Sequence, residues 1–279
     1  MAAPEVCELD QEPSASAALD GPARSGALVP VVRTALSYGA SFLRVYHRHE
    51  VTTGGERPAG PVLFVANHGF GGIVDLNVFA SLSALADISP NRDITILCHQ
   101  LAWTLKVGKI VEAAGARPAE YTCAAQAFER GNHVLVFPGG DVEQGKSFAD
   151  RDKIVFAGRR GFARLAIDGG VPIVPVVTAG AGESLLVLSD GQRLARALRL
   201  DRALRMKALP VSVSLPWGLS VGVVGLVPYL PLPTKLTTAV LDPMWPVDGE
   251  PPDAFGDRVE TTMQTALSTM TAGRTPLLG

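Results

Sequence analysis

The chain has 279 residues, 47% hydrophobic and 19% charged, with a formal charge of −2. That length supplies core for one large α/β domain or two small ones, and the near-neutral balance gives no reason to expect nucleic acid. Cys7, Cys98 and Cys123 are odd in number and lack paired spacing, which speaks against a disulfide scaffold and for a reduced, cytoplasmic protein.

Residues 1–20 carry Glu5, Glu8, Asp10, Glu12 and Asp20 without a basic residue, among Ala, Ser and Pro. Such a stretch buries too little apolar surface to order itself, and it lacks the basic-then-apolar order of an export signal. The expected organisation is a disordered acidic tail over 1–28 and a single domain over 29–272. An amphipathic helix over 29–46 opens that domain. Val32, Leu36, Phe42, Leu43 and Tyr46 fall near one face of it, with Arg33 and Arg44 outside. This is the pattern of a helix docked on a core, or of an interfacial helix with arginines among lipid headgroups.

Strands and helices then alternate. Residues 62–66, 94–98, 133–137 and 172–177 predict strands; 75–85, 101–114, 121–130 and 160–168 predict helices, with Gly115, Gly131 and Gly169-Gly170 as stops. The alternation predicts an α/β fold, a mainly parallel central sheet with helices on both faces. Ligands of such sheets sit outside the carboxyl ends of the strands, and His68, Gly139 and Thr178 fall there.

Past residue 190, Arg193, Arg196, Arg199, Arg202 and Arg205 recur every three residues, a solvated basic helix or a surface facing anionic lipid or phosphate. Residues 208–234 form 27 consecutive positions without a formal charge. A spanning helix needs about 20 apolar residues, but Pro210, Pro216, Pro228, Pro231 and Pro233 interrupt this one. Each interior proline costs a helix roughly 3 kcal/mol, so short strands and apolar loops are expected, resting on a bilayer. A last helix is expected through residue 270.

The chemistry concentrates at two strand ends. Asn67-His68 follows the first strand, glycines 69, 71 and 72 open a turn, and Asp75 stands where a helix begins. The second strand ends in Phe137-Pro138-Gly139-Gly140, with Glu143 close behind. A neutral imidazole takes a proton from an alcohol attacking a carbonyl, and a carboxylate on its other nitrogen fixes the tautomer. Taken locally, His68 and Asp75 are equally a catalytic dyad or a capped turn with Asp75 as N-cap. The dinucleotide-loop and nucleophile-elbow patterns are incomplete here. The histidines have no metal-ligand spacing with the cysteines.

Jointly these blocks resemble the signature of the glycerolipid (lysophospholipid) acyltransferase superfamily. Asn67-His68 with Asp75 is similar to the first block, Gly115-Ala116-Arg117-Pro118 to the second, 134–143 to the third and Val171-Pro172-Ile173-Val174-Pro175-Val176 to the fourth. Phe137-Pro138-Gly139-Gly140 with Glu143, and Arg160-Gly161-Phe162-Ala163-Arg164-Leu165-Ala166, look like the diacylglycerol acyltransferase-2-like branch and its bacterial relatives. The resemblance implies a glycerol-phosphate acyltransferase-like fold, acyl-CoA or an acyl carrier protein thioester as donor, and a neutral glycerolipid or long-chain alcohol as acceptor. It implies no metal or other cofactor, and work at the inner face of a membrane.

By that resemblance His68 and Asp75 are catalytic, while Asn67, Arg117, Phe137, Pro138, Gly139, Gly140, Glu143, Lys153 and Arg160 bind substrate. The Gly139 and Gly140 amides are candidates for an oxyanion site, and Lys153, Arg159 and Arg160 suit the phosphates of coenzyme A. Two departures stand out. Six residues separate His68 from Asp75 where the family has four. Gly139 and Val142 replace the glutamate and arginine of phosphate-acceptor members, which removes a charged fork and favours a neutral acceptor.

Overall fold

The computed structural model describes residues 28–56, 58–69, 75–89, 91–98, 103, 108–189, 211–221 and 229–279. The first half runs α1 (Leu28–Tyr46), β1 (Glu50–Thr53), β2 (Leu63–Ala66), α2 (Leu76–Ile88), β3 (Ile94–Cys98), α3 (Gly108–Ala113), β4 (Ala116–Pro118), α4 (Tyr121–Glu129), β5 (His133–Val136) and α5 (Gly140–Gln144). Then follow α6 (Gly161–Asp168), β6 (Ile173–Ala179), β7 (Leu186–Ser189), β8 (Val211–Ser214), β9 (Gly218–Val221), β10 (Thr237–Val240) and α7 (Pro252–Thr271). The acidic tail up to residue 27, turn residues 70–74, most of 101–107 and the arginine series at 193–205 lie outside the described residues. Leu28, assigned to the tail from sequence, opens α1.

Seven strands form the central sheet in the order β1-β10-β6-β2-β5-β3-β4. The five from β6 to β4 are parallel; β10 runs antiparallel to β6, and β1 pairs parallel with β10. β2, β5 and β6 are buried at every position, which is what strands covered on both faces require. Alternate side chains divide between two layers. Leu63, Val65, Val134, Val136, Ile173 and Val177 join Phe162 and Leu165 of α6 and Phe255, Val259, Met263 and Leu267 of α7. Val62, Phe64, Ala66, Leu135, Val174 and Val176 join Ala84 and Leu85 of α2. The four α7 residues recur every fourth position and so share one stripe. Burying each such side chain contributes roughly 1.5–3 kcal/mol.

Helix α1 is only partly a core helix. Leu43 packs with Leu76, Ala80 and Leu236, while Val31, Tyr38, Phe42 and Val45 are 43–81% exposed. Of the five residues read as one face, Leu43 is the only one buried. The charge-free stretch contains β8 and β9, which join β7 in a separate antiparallel sheet. Its polarity is inverted, with Ser212 and Ser214 inside and Val213 and Leu219 outside. Leu215 and Trp217 are exposed beside them. Among the described residues no helix is long and apolar enough to cross a membrane.

Two histidines pin the sheet in their neutral form. His133 Nδ1 accepts the Val62 N–H at 3.1 Å, and its Nε2 meets the Ser89 hydroxyl at 2.8 Å. His49 Nε2 lies 2.8 Å from Thr238 Oγ1, joining β10 to the segment before β1. Burial, aided by Arg92 for His133 and by Arg44 for His49, lowers both pKa values to about 4. An unfolded chain titrates near 6.5, so below that pH it binds the protons first. The stability these groups supply is complete above pH 6.5 and is lost as pH falls toward 4, on the order of 2 kcal/mol per histidine. Melting temperature is expected to drop across this window, and His133→Gln to flatten the drop. An unchanged slope in the variant would show that His133 takes up its proton as readily in the fold as in the unfolded chain.

Candidate active site

Strand β2 ends at Ala66 and carries its polar residues to the carboxyl edge of the sheet beside β5 and β6. Asn67 is stitched to β6: its Oδ1 accepts the Thr178 N–H at 2.8 Å and its Nδ2 donates to the Thr178 carbonyl at 3.1 Å. The Asn67 carbonyl in turn accepts from Asn77 Nδ2 at 2.9 Å. Read from sequence as a substrate contact, Asn67 spends both ends of its amide on the main chain and braces the strand end instead.

His68 follows, 7% exposed. Its Nδ1 lies 2.5 Å from Asp75 Oδ2, and the other Asp75 oxygen accepts the Asn77 N–H at 2.8 Å. Asp75 is the N-cap of α2 with extended backbone angles. Asp75 therefore meets the imidazole with one oxygen and caps α2 with the other. A donor hydrogen on Nδ1 directed at the carboxylate leaves Nε2 as the basic nitrogen. Phe137 packs on the imidazole with ring centroids 4.7 Å apart, and Gln144 Nε2 sits 3.2 Å from His68 Nδ1 and 3.5 Å from its Nε2. Tyr229 closes the neighbourhood of Asp75: burial, then the Asp75 charge, pushes its phenol up to about 12, so it remains a neutral hydroxyl.

The 137–143 block turns sharply after β5. Pro138 and Gly139 carbonyls both accept from Arg159 Nη1, at 3.2 and 2.6 Å. The Gly140 N–H is directed at the Phe137 carbonyl at 3.3 Å, closing the turn; this corrects its candidacy as an oxyanion donor. Glu143 also differs from expectation. It is fully buried, and its two oxygens accept the His68 and Val155 N–H groups at 2.9 and 3.2 Å. A Cβ at position 139 would collide with that carboxylate, so Gly139 is the residue that makes room for it. Burial raises the Glu143 pKa, with Lys146 pulling against it.

The expected phosphate-binding cations separate. Arg160 Nη2 bonds Asp257 at 2.5 Å and Glu260 at 2.7 Å, tying α6 to α7; its fork is occupied within the fold. Lys153 pairs with Asp150 at 2.6 Å on an exposed surface, an interaction worth little in water. Arg117 is exposed on edge strand β4. It lines a cavity of about 920 Å³ between α1, α2 and β3, whose walls include Leu36, Phe79 and Leu82 but neither His68 nor Asp75. Sequence reasoning missed Gln144, Lys146, Asn77 and Tyr229. The sole local signal was the run Glu143-Gln144-Gly145-Lys146, which also suits an ordinary solvated turn.

Residues 43–179 match the family model described as Acyltransferase, a span from Leu43 in α1 to the end of β6. An uncharacterized protein of Mycobacterium tuberculosis is 31% identical over 255 residues, 88% of this chain and 66% of that one. A chicken (Gallus gallus) protein named as a DGAT1/2-independent enzyme synthesizing storage lipids is 28% identical over 170 residues, 60% of this chain and 48% of its own. The chain thus spans just under two thirds of the length of its mycobacterial relative. The crystal structure of the 1-acyl-sn-glycerophosphate (LPA) acyltransferase PlsC from Thermotoga maritima aligns over 90% of this chain and 85% of its own. That alignment has a TM-score of 0.51 at 15% identity, a likeness of fold. His68, its carboxylate partner and the turn that carries Glu143 all fall inside the matched span; residues 43–179 are thus an acyltransferase-family domain, in a chain with a PlsC-like fold.

Proposed function

We propose that this protein is a lipid O-acyltransferase moving an acyl group from a coenzyme A or carrier-protein thioester to a neutral glycerolipid or long-chain alcohol at a membrane surface. The observation that carries the reading is the His68 Nδ1–Asp75 Oδ2 bond at a sheet edge, which leaves Nε2 to act. Nε2 takes the acceptor hydroxyl proton as the oxygen attacks the thioester carbonyl. Asp75 stabilises the imidazolium, the tetrahedral adduct collapses to the ester, and the proton leaves with the thiolate as free thiol. The hydroxyl is itself the nucleophile, so no acyl-enzyme forms.

Three features support a neutral acceptor. Val142 is 40% exposed where phosphate-acceptor members carry arginine, Arg160 is committed to α7, and the chicken relative is named for storage lipids. The apolar stripe of α1 and the outward residues of β8 and β9 support work at a bilayer surface. One observation favours a second reading, lysophosphatidate as acceptor: Arg117 is an exposed cation lining a large cavity.

The test is thiol release from acyl-CoA, with diacylglycerol, a long-chain alcohol or lysophosphatidate presented in vesicles. A new neutral ester is expected with the first two. A product from lysophosphatidate alone would select the second reading. Thiol release without a lipid product would mark a hydrolase, and binding without thiol release a non-catalytic lipid carrier.

A further inference from the structure

We infer that Glu143 and Lys146 form a single main-chain clamp that positions His68, a role resting on the general-base reading above. One carboxylate oxygen accepts the His68 N–H at 2.9 Å, and Lys146 Nζ donates to the His68 carbonyl at 3.4 Å. The same two side chains grip the opposite segment, Glu143 through the Val155 N–H at 3.2 Å and Lys146 through the Lys153 carbonyl at 2.6 Å. They lie 3.5 Å from each other, with side chains 0% and 8% exposed. An ion pair thus holds both polar main-chain atoms of residue 68 and fastens them to residues 153–155.

Geometry rather than stability is what this pair supplies. A buried ion pair roughly cancels its desolvation cost, so its net contribution to folding is small. The His68 ring is set by Asp75, Phe137 and Gln144, but the position of its Nε2 also depends on the backbone from which the ring hangs. A displacement of about 1 Å in a reacting group costs about 10²-fold in rate. Gly139 belongs to the same device, because any side chain there would displace the Glu143 carboxylate. Glu143 and Lys146 are positioning residues: their bonds run to main chain and to each other, and neither is needed to touch substrate.

The experiment compares wild type, His68→Ala, Glu143→Gln, Lys146→Met and the Glu143→Gln/Lys146→Met double variant of the full chain, by thiol release from acyl-CoA with diacylglycerol vesicles. Each single clamp variant is expected to lower kcat about 10²-fold while KM for acyl-CoA stays within about 3-fold. The double variant should be no worse than the worse single, because both act by fixing the main chain of one residue, His68. A KM rise at constant kcat would overturn the inference by making these residues substrate contacts. Unchanged kcat, or multiplying losses in the double variant, would overturn it as well.

Should Glu143→Gln melt below the assay temperature, Lys146→Arg, which keeps a donor, is compared with Lys146→Met. Equal kcat in the two overturns the clamp. Wild-type turnover with full loss in His68→Ala, beside unaffected clamp variants, removes the clamp alone. No wild-type turnover with diacylglycerol, a long-chain alcohol or lysophosphatidate, or full turnover in His68→Ala, removes the catalytic reading and the clamp with it.

Discussion

Replacing His68 by alanine is expected to lower acyl transfer roughly 10²–10⁴-fold, the range a positioned general base supplies. The acceptor hydroxyl is a weak nucleophile until its proton has somewhere to go, and Nε2 is the nitrogen that the Asp75 bond leaves available. The fold is expected to survive, because the contacts that hold this corner use main chain rather than imidazole. The His68 N–H still reaches Glu143, and Asn67 still bonds both ways with Thr178. The measurement is thiol release together with a melting curve. Turnover near wild type in a folded variant would end the general-base mechanism.

Asp75→Asn is expected to lose activity on a comparable scale, roughly 10²–10⁴-fold, with almost no loss of stability. Asparagine is as good an N-cap as aspartate, so its carbonyl oxygen keeps the Asn77 N–H and α2 keeps its start. Its amide, however, presents N–H to His68 Nδ1. That nitrogen must then accept, the ring proton moves to Nε2, and the base is blocked. Asp75→Ala removes both functions and should cost about 0.5–2 kcal/mol in addition, the usual cost of a lost cap. The pair of variants separates the two oxygens of one carboxylate. An Asp75→Asn protein with normal kcat would leave Asp75 with the cap alone.

The central strands were legible because strands buried on both faces must be apolar almost throughout, as 62–66, 133–137 and 172–177 are. β1 and β10 were not. Glu50-Val51-Thr52-Thr53 and Thr237-Thr238-Ala239-Val240 are short and half polar, and they become strands by pairing with each other and with β6. The reversed direction of these two strands at one edge of the sheet likewise has no local signature. The helix starting near Asp75 and the last helix were readable from caps and spacing. α1 was readable as a helix, but its exposed apolar stripe depends on what it packs against.

At the site, residue types and order carried the dyad and the glycine turn, since hydroxyl activation needs an imidazole and a carboxylate whatever the fold. The fate of the charges could not be read in the same way. Arg160 looked available for phosphate until α7, about a hundred residues later, supplied Asp257 and Glu260. Glu143 looked like a substrate contact, and Lys146 drew no reading, until the fold brought the His68 strand end onto both, some 75 positions away in sequence.

The sequence by itself determined the alternating α/β order, the strand ends that bear polar residues, and the identity of His68 and Asp75. Tertiary structure alone decided which charged groups serve the interior and which face outward. Whether a charge is desolvated and paired depends on neighbours brought in by long-range packing, and spacing along the chain carries no trace of them.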